Sequence, residues 1–363
     1  MVSIPNDPSE ITAAWLCEAL NSGGRAAGAD VRSLKVERFG EGLGVTTELY
    51  RLTPTYAPGG QGGPATLIAK VPSSIPEMRA VSAAYGLYER EVVFYRDLAS
   101  TISLRSPLCY FAGFDPASQR FIIVMEDLAS ARACDQVIGM SLDEARMAIE
   151  EVAALHVRWW DKPELKALEG VIQPLGVPPY QMDARHAAAW PVMESYLAGR
   201  VSKEMLRVGE RLATALDRMG SGLAAGSRTL CHGDYRADNL LFRTNGGASE
   251  LVALDWQVAM QARGAFDIGY MMSASVTTEL RRDHEMALLG QYHHRLVEGG
   301  VEGYAFDQCF HDYRTALLFG CTYLVQAGAA SDRTHPRTDA LLNSFARRVD
   351  AATADLGLHE FVA

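Results

Sequence analysis

The sequence predicts an α+β protein of two lobes, a small β-rich lobe followed by a larger and mostly helical one. Three observations lead there. Up to about residue 126 the apolar runs are short, rich in β-branched residues and separated by glycine- or proline-containing breaks. Beyond it the apolar residues recur with a helical period. The chain of 363 residues is 48% hydrophobic and 21% charged, a globular composition with length for about two units. The expected lobes are 1–126 and 127–363.

Each element follows from local chemistry. Residues 9–20 (SEITAAWLCEAL) read as a short helix with Asp7 and Ser9 as candidate caps. Ser33–Phe39 and Val45–Leu52 are β-rich runs joined through Gly40-Glu-Gly42-Leu-Gly44, which reads as a hairpin with a glycine-rich tip. PGGQGGP at 58–64 is a loop, and Thr66–Val71 a third strand. Tyr85–Ser100 carries apolar residues at helical spacing, and two more strands fall near Leu108–Phe114 and Arg120–Met125. Ser141-Leu-Asp-Glu144 has the form of a capping box, opening a helix whose apolar stripe includes Ile149, Val152 and Trp159. From there the chain reads as helical to its end, interrupted by one β-hairpin at 239–256.

The formal net charge of -10 argues against nucleic acid as a partner, because such partners select a basic face. The longest uncharged stretch, Thr315–Ser331, contains Gly320, Gln326 and Gly328; it suits a buried helix better than a bilayer, so no membrane partner is expected. The first dozen residues lack the early positive charge of a signal peptide. Six scattered cysteines without a C-x-x-C pair read as thiols of a reducing compartment, and the expected location is cytoplasmic.

The segment LCHGDYRADNLLFRTNGGASELVALDW at 230–256 concentrates the chemistry. Asp234 follows His232-Gly233, Asn239 comes five residues later, and an Asn-Gly-Gly turn separates two apolar runs, the second ending at Asp255. A turn centred on Gly247 would pair Leu240 with Leu254 and set Asn239 opposite Asp255. An amide oxygen and a carboxylate placed so are hard ligands suited to Mg²⁺, leaving Asp234 to accept a proton from a hydroxyl. Turn-forming Asp and Asn explain single residues of this set, but not the H-x-D-x-x-x-x-N spacing with a hairpin and second Asp behind it.

This segment resembles the catalytic and metal loops of the protein-kinase-like fold. The Gly before Asp234 is similar to the aminoglycoside phosphotransferase and choline kinase superfamily, and ALHVRWW around His156 and YEREVVFY around Glu91 resemble its ecdysteroid-kinase-like branch. The resemblance spans roughly Phe39–Tyr270. It implies the protein-kinase-like two-lobe fold, with ATP and Mg²⁺ as cofactors. Asp234 is then the catalytic base, with Asn239 and Asp255 as metal ligands. Arg236 either stabilises the transferring phosphoryl group or is a surface arginine.

Lys70 closes an otherwise apolar strand and needs a partner if buried; Glu91 is the one the resemblance implies, with Glu89 on another helical face. Gly40, Gly42 and Gly44 suit backbone approach to a phosphate, and equally an ordinary hairpin tip. Backbone groups of Glu126 and Leu128 are implied at the adenine by position, with Asp127 exposed between them. His232, His156 and Asp267 read as structural, Asp267 resembling the family's brace of the catalytic loop.

The expected activity is ATP- and Mg²⁺-dependent transfer of phosphate to a hydroxyl of a small molecule. Tyr180, Trp190, Tyr196, Tyr270, Tyr304, Phe319 and Tyr323 lie in the segments expected to form the acceptor pocket, favouring a hydrophobic, sterol-like or hydroxyacyl alcohol. The alternatives are an aminoglycoside- or choline-type kinase, and a nucleotide-binding pseudokinase, which would have lost Lys70, Asp234, Asn239 or Asp255. A metal-dependent hydrolase would need a second well-placed histidine.

Overall fold

Alternation along one strand orients the first unit. In Leu67–Pro72, Leu67, Ala69 and Val71 join the same apolar core as Trp15, Leu16, Ile122 and Val124. The period of two therefore turns Lys70 to the opposite face. The computed structural model describes residues 2–40, 46–59, 62–176, 181–245 and 248–363. They divide into two units, Met1–Ala131 with Leu254–Val258, and Arg132–Ala253 with Ala259–Ala363. The sequence-based division at 126/127 did not include the return of 254–258 to the first unit.

The first unit is an antiparallel sheet of five strands, β1 (Val31–Phe39), β2 (Thr47–Tyr56), β3 (Leu67–Pro72), β4 (Cys109–Asp115) and β5 (Arg120–Glu126), in the order β1-β2-β3-β5-β4. Helix α1 (Ala13–Ser22) covers one face with Trp15, Leu16, Ala19 and Leu20. It starts later than 9–20 because Thr12 is its cap, accepting the Trp15 N–H; Asp7 instead caps a separate 3-10 turn at Pro8–Glu10. A helix α2 (Pro76–Ala84) comes first and ends before Gly86 at φ 60°; the helix expected over Tyr85–Ser100 follows as α3 (Leu87–Val93), running on into a wider π turn at Phe94–Leu98. Tyr88 of α3 stacks on Phe121, which faces the same side of the sheet as Lys70. Asp127 corrects the expectation of exposure: its side chain is 5% exposed and accepts Arg51 Nε at 2.7 Å.

In the second unit α4 (Leu142–Trp159) opens at the expected capping box, with Ser141 and Glu144 each bonding the other's backbone. Helices α5 (Pro163–Ala167), α6 (Met182–Leu197), α7 (Lys203–Leu212) and α8 (Leu216–Leu223) follow. A short β6 (Arg132–Ala133) edges the hairpin of β8 (Leu240–Asn245) and β9 (Ala248–Ala253), while β7 (Thr229–Cys231) pairs with β10 (Met260–Ala262). Helices α9 (Ala265–Ser275), α10 (Thr278–Glu298), α11 (Phe306–Ala330) and α12 (Pro336–Leu356) complete it. All of α9 is buried, and Gly269 permits its contact with α11, since a Cβ there would lie 2.7 Å from the Tyr313 oxygen. The uncharged Thr315–Ser331 stretch lies largely in α11, where Leu317, Leu318 and Phe319 are fully buried. No helix among the described residues is long and apolar enough to cross a membrane.

The hairpin register corrects the sequence reading. Leu240 pairs with Ala253 rather than Leu254, because Asn245 pairs with Ala248 and the connection is the two residues 246 and 247. A shift of one residue removes the cross-strand pairing expected for Asn239 and Asp255.

Ser141→Ala removes the α4 cap and is expected to lower unfolding stability by about 1 kcal/mol, read as a shifted denaturation midpoint at unchanged slope.

Candidate active site

Within the first unit the Lys70 ammonium lies 2.7 Å from Glu91 Oε1 and 3.0 Å from Asp255 Oδ1. The strand alternation that keeps Ala69 and Val71 in the α1 core sends Lys70 toward α3, where Glu91 is fully buried; Glu89 is not its partner. Burial opposes the Lys70 charge, but Asp255 and Glu91 outweigh it and push its pKa up. Burial pushes Glu91 up, the Lys70 ammonium opposing and Asp255 adding like charge. One ammonium thus serves two carboxylates, of which Asp255 is the more exposed.

Asp255 has φ 62°, a left-handed conformation that Asp tolerates better than most residues. The residues behind it hold this turn: Trp256 stacks on Phe94 at 3.9 Å and 7°, and Arg90 donates to the Gln257 carbonyl at 3.0 Å. The Gln257 amide oxygen accepts the Thr46 hydroxyl at 3.0 Å.

Within the second unit Asp234 is held from three sides. Its Oδ1 accepts Arg236 Nε at 3.0 Å and the Tyr270 hydroxyl at 2.9 Å, and its Oδ2 accepts Asn239 Nδ2 at 2.7 Å. The same Asn239 nitrogen donates to the Asp234 carbonyl at 2.9 Å, so the amide oxygen is the group Asn239 has to offer a cation. Arg236 is a quarter exposed and also bonds Gln136 Oε1 at 2.8 Å and Asp238 at 3.3 Å, which is not the geometry of a free surface arginine. Burial opposes its charge, yet Asp234, Tyr270 and Asp238 push its pKa up. Burial, and then Asp234, push Tyr270 well above the ordinary phenol range, so it stays a donor.

Asp267 fixes this loop, accepting the His232 N–H at 2.7 Å and the Gly233 N–H at 2.9 Å. It lies 3.2 Å from His156 Nε2, whose Nδ1 reaches the Tyr292 hydroxyl at 2.9 Å. His156, Cys231 and Asp267 come within 4.8 Å of one another, but these hydrogen bonds occupy the first and last, and burial pushes the Cys231 thiol well up. That cluster is a brace. His232 Nδ1 accepts the Asp234 N–H at 3.2 Å, the structural role expected for it.

The remaining expectations divide. Gly40 has φ 71°, a turn conformation that favours glycine, while Gly42 and Gly44 lie outside the described residues, as does Tyr180. Glu126 uses its N–H on the Leu108 carbonyl and its carboxylate on Arg105 at 2.8 Å, and the Leu128 carbonyl accepts from Ala131. Of the pocket aromatics, Tyr304 bonds Asp312 in the core, Phe319 is fully buried against Phe266, and Tyr196 bonds Asp339. Trp190 packs on Gly209. Tyr270 is the one that contacts Asp234, and its ring packs with Tyr323 at 4.9 Å and Phe345 at 6.1 Å. Sequence reasoning missed the roles of Gln136, Gln257, Arg90 and the Tyr270 hydroxyl. Each contacts a predicted site residue or its neighbour through tertiary packing; only the nearness of Tyr270 to Asp267 in FDIGY was visible beforehand.

The comparisons with known proteins agree with this architecture. Residues 181–301 match the model of the ecdysteroid kinase-like family, a span that takes in Asp234, Arg236, Asn239 and Asp255 but not Lys70. A GDP and kanamycin complex of an aminoglycoside phosphotransferase superposes at TM-score 0.54, with 11% identity, over 94% of this chain and 98% of that one. An ethanolamine kinase from Plasmodium vivax gives 0.52, with 12% identity over 89% and 82%. The GDP complex of a wild-type aminoglycoside 2'-phosphotransferase gives 0.51, with 12% identity over 95% and 99%. No curated protein matches the chain significantly. At these identities the likeness is one of fold: the chain has a kinase-like fold. Within that class it resembles the ecdysteroid kinase-like family over 181–301.

Asp267→Ala strips partners from two backbone N–H groups and His156, and is expected to cost about 2–4 kcal/mol of stability by thermal or denaturant unfolding. The isosteric Asp267→Asn is expected to recover part of it.

Proposed function

We propose that the chain is an ATP- and Mg²⁺-dependent phosphotransferase acting on a hydroxyl of a small molecule. The observation that carries this reading is the buried Lys70–Glu91–Asp255 cluster, which gathers an ammonium and two carboxylates within the first unit. The kinase-like neighbours and the family match over 181–301 support it.

In this mechanism Lys70 binds phosphate oxygens of the nucleotide, and Glu91 keeps its ammonium aimed. Asp255 offers a partly exposed carboxylate and Asn239 an amide oxygen, each a hard ligand of the kind Mg²⁺ takes, and an ion they held would neutralise charge on the phosphates. Asp234 orients the acceptor hydroxyl and takes its proton as that oxygen bonds the γ-phosphorus and the bond to the β–γ bridging oxygen breaks. Arg236 and Tyr270 hold the Asp234 carboxylate, and Arg236 also offers positive charge to the transferring group. Six unpaired cysteines suit work in a reducing cytoplasm.

Tyr270, which bonds Asp234, and the rings of Tyr323 and Phe345 packed around it favour an acceptor with an apolar body, a sterol-like or hydroxyacyl alcohol. A cationic acceptor of the choline or aminoglycoside type would instead need anionic residues facing it.

Transfer from Mg-ATP across sterols, hydroxyacyl compounds, choline and aminoglycosides tests both. One acceptor class is expected to be phosphorylated, and Asp234→Ala is expected to lower kcat by about 10²–10⁴-fold with Mg-ATP binding retained. Retained turnover would remove Asp234 as base, and nucleotide binding without transfer to any acceptor would favour a pseudokinase. Tyr270→Phe, which deletes one hydrogen bond to Asp234, is expected to lower kcat about tenfold at nearly unchanged melting temperature.

A further inference from the structure

A cavity lies wholly within the first unit, and Lys70 is not among its lining residues. It occupies about 650 Å³ between the end of α1, the π turn and the segment entering β4, a volume within the range of small-molecule sites. Its chemistry is one-sided. Arg25, Arg96 and Arg105 line it and no Asp or Glu does, although the chain as a whole carries -10. Arg96 is paired with Asp97 and Arg105 with Glu126, whereas Arg25 makes no ion pair or hydrogen bond among the described residues. Its exposed guanidinium is an unclaimed cation at the rim, and it acts electrostatically on Cys109 and Tyr110 of the cavity wall.

The interior has two further features. Ile102, Leu108 and Phe111 supply apolar wall. Tyr95, only 5% exposed, adds its ring to this wall. Burial pushes the Cys109 thiol up to about 12, so it stays neutral and adds no competing anion.

We propose that this cavity is a ligand site for a small amphipathic anion, a carboxylate or phosphate monoester on an apolar body, whose charged head meets Arg25 and whose body lies against Ile102, Leu108, Phe111 and the Tyr95 ring. Inorganic phosphate would leave the apolar wall unused, and a neutral hydrocarbon would leave Arg25 unserved. The occupant would lie against Tyr95, four residues beyond Glu91 on the same helical segment.

The test is titration calorimetry with decanoate and decyl phosphate in the absence of nucleotide, with decylamine as the cationic control, so its outcome is independent of phosphate transfer. At least one anion is expected to bind saturably, and the stronger of the two identifies the head group. Arg25→Glu is expected to weaken binding about tenfold, and Ala99→Trp, which fills the cavity, to abolish it. Absence of saturable binding by either anion up to about 1 mM would overturn the proposal. Equal binding by decylamine, or unchanged affinity in Arg25→Glu, would overturn it as well. Arg25 is exposed, so that variant keeps the test open if Ala99→Trp fails to fold.

Discussion

A lysine buried in the middle strand of a sheet is the constraint on which the first unit depends. An unpaired ammonium there is prohibitively costly, and two carboxylates from distant parts of the sequence remove the cost, Glu91 from α3 and Asp255 from a segment 185 residues away. Losing one partner of such a buried pair typically costs about 3–5 kcal/mol, so strand, helix and returning segment are bound into one arrangement. Neighbouring contacts serve the same geometry. Trp256 stacked on Phe94 and Arg90 on the Gln257 carbonyl hold the segment that presents Asp255 in its left-handed conformation.

The second unit solves a different problem, holding one carboxylate ready and partly exposed. Asp267 pins the backbone before Asp234 with two hydrogen bonds, and Asn239, Arg236 and Tyr270 fix the carboxylate itself. Arg236 is in turn held by Gln136, whose carbonyl accepts from the buried Arg348 at 2.8 Å. A chain of bonds from α12 to the loop keeps the side chain in one rotamer, which is what positioned acid–base chemistry requires. Tyr323 and Phe345 pack on the ring of Tyr270 and so hold the hydroxyl that bonds Asp234.

Much of this was legible beforehand. Alternating and helical periods located the five strands of the first sheet, the hairpin and the capping box at Ser141, because burial on one face imposes those periods directly. The choice of Glu91 over Glu89 followed from a helical face, and the brace by Asp267 from the FDIGY motif. The errors have a common origin. A two-residue connection moved the β8–β9 register by one, and Asp127 found Arg51 across the sheet; a local pattern reports neither.

By itself the sequence determined the kinds of element, the two-part organisation and the identity of the charged and amide residues at the candidate site, because periodicity and motif spacing are local properties. Only the tertiary structure decided which groups meet. Lys70 shares its ammonium between Glu91 and Asp255, Arg236 turns to Asp234 rather than to solvent, and Tyr270 becomes a hydrogen-bond donor to a carboxylate. These pairings join residues brought together by packing, and their energies depend on burial and distance, which the linear order of residues does not encode.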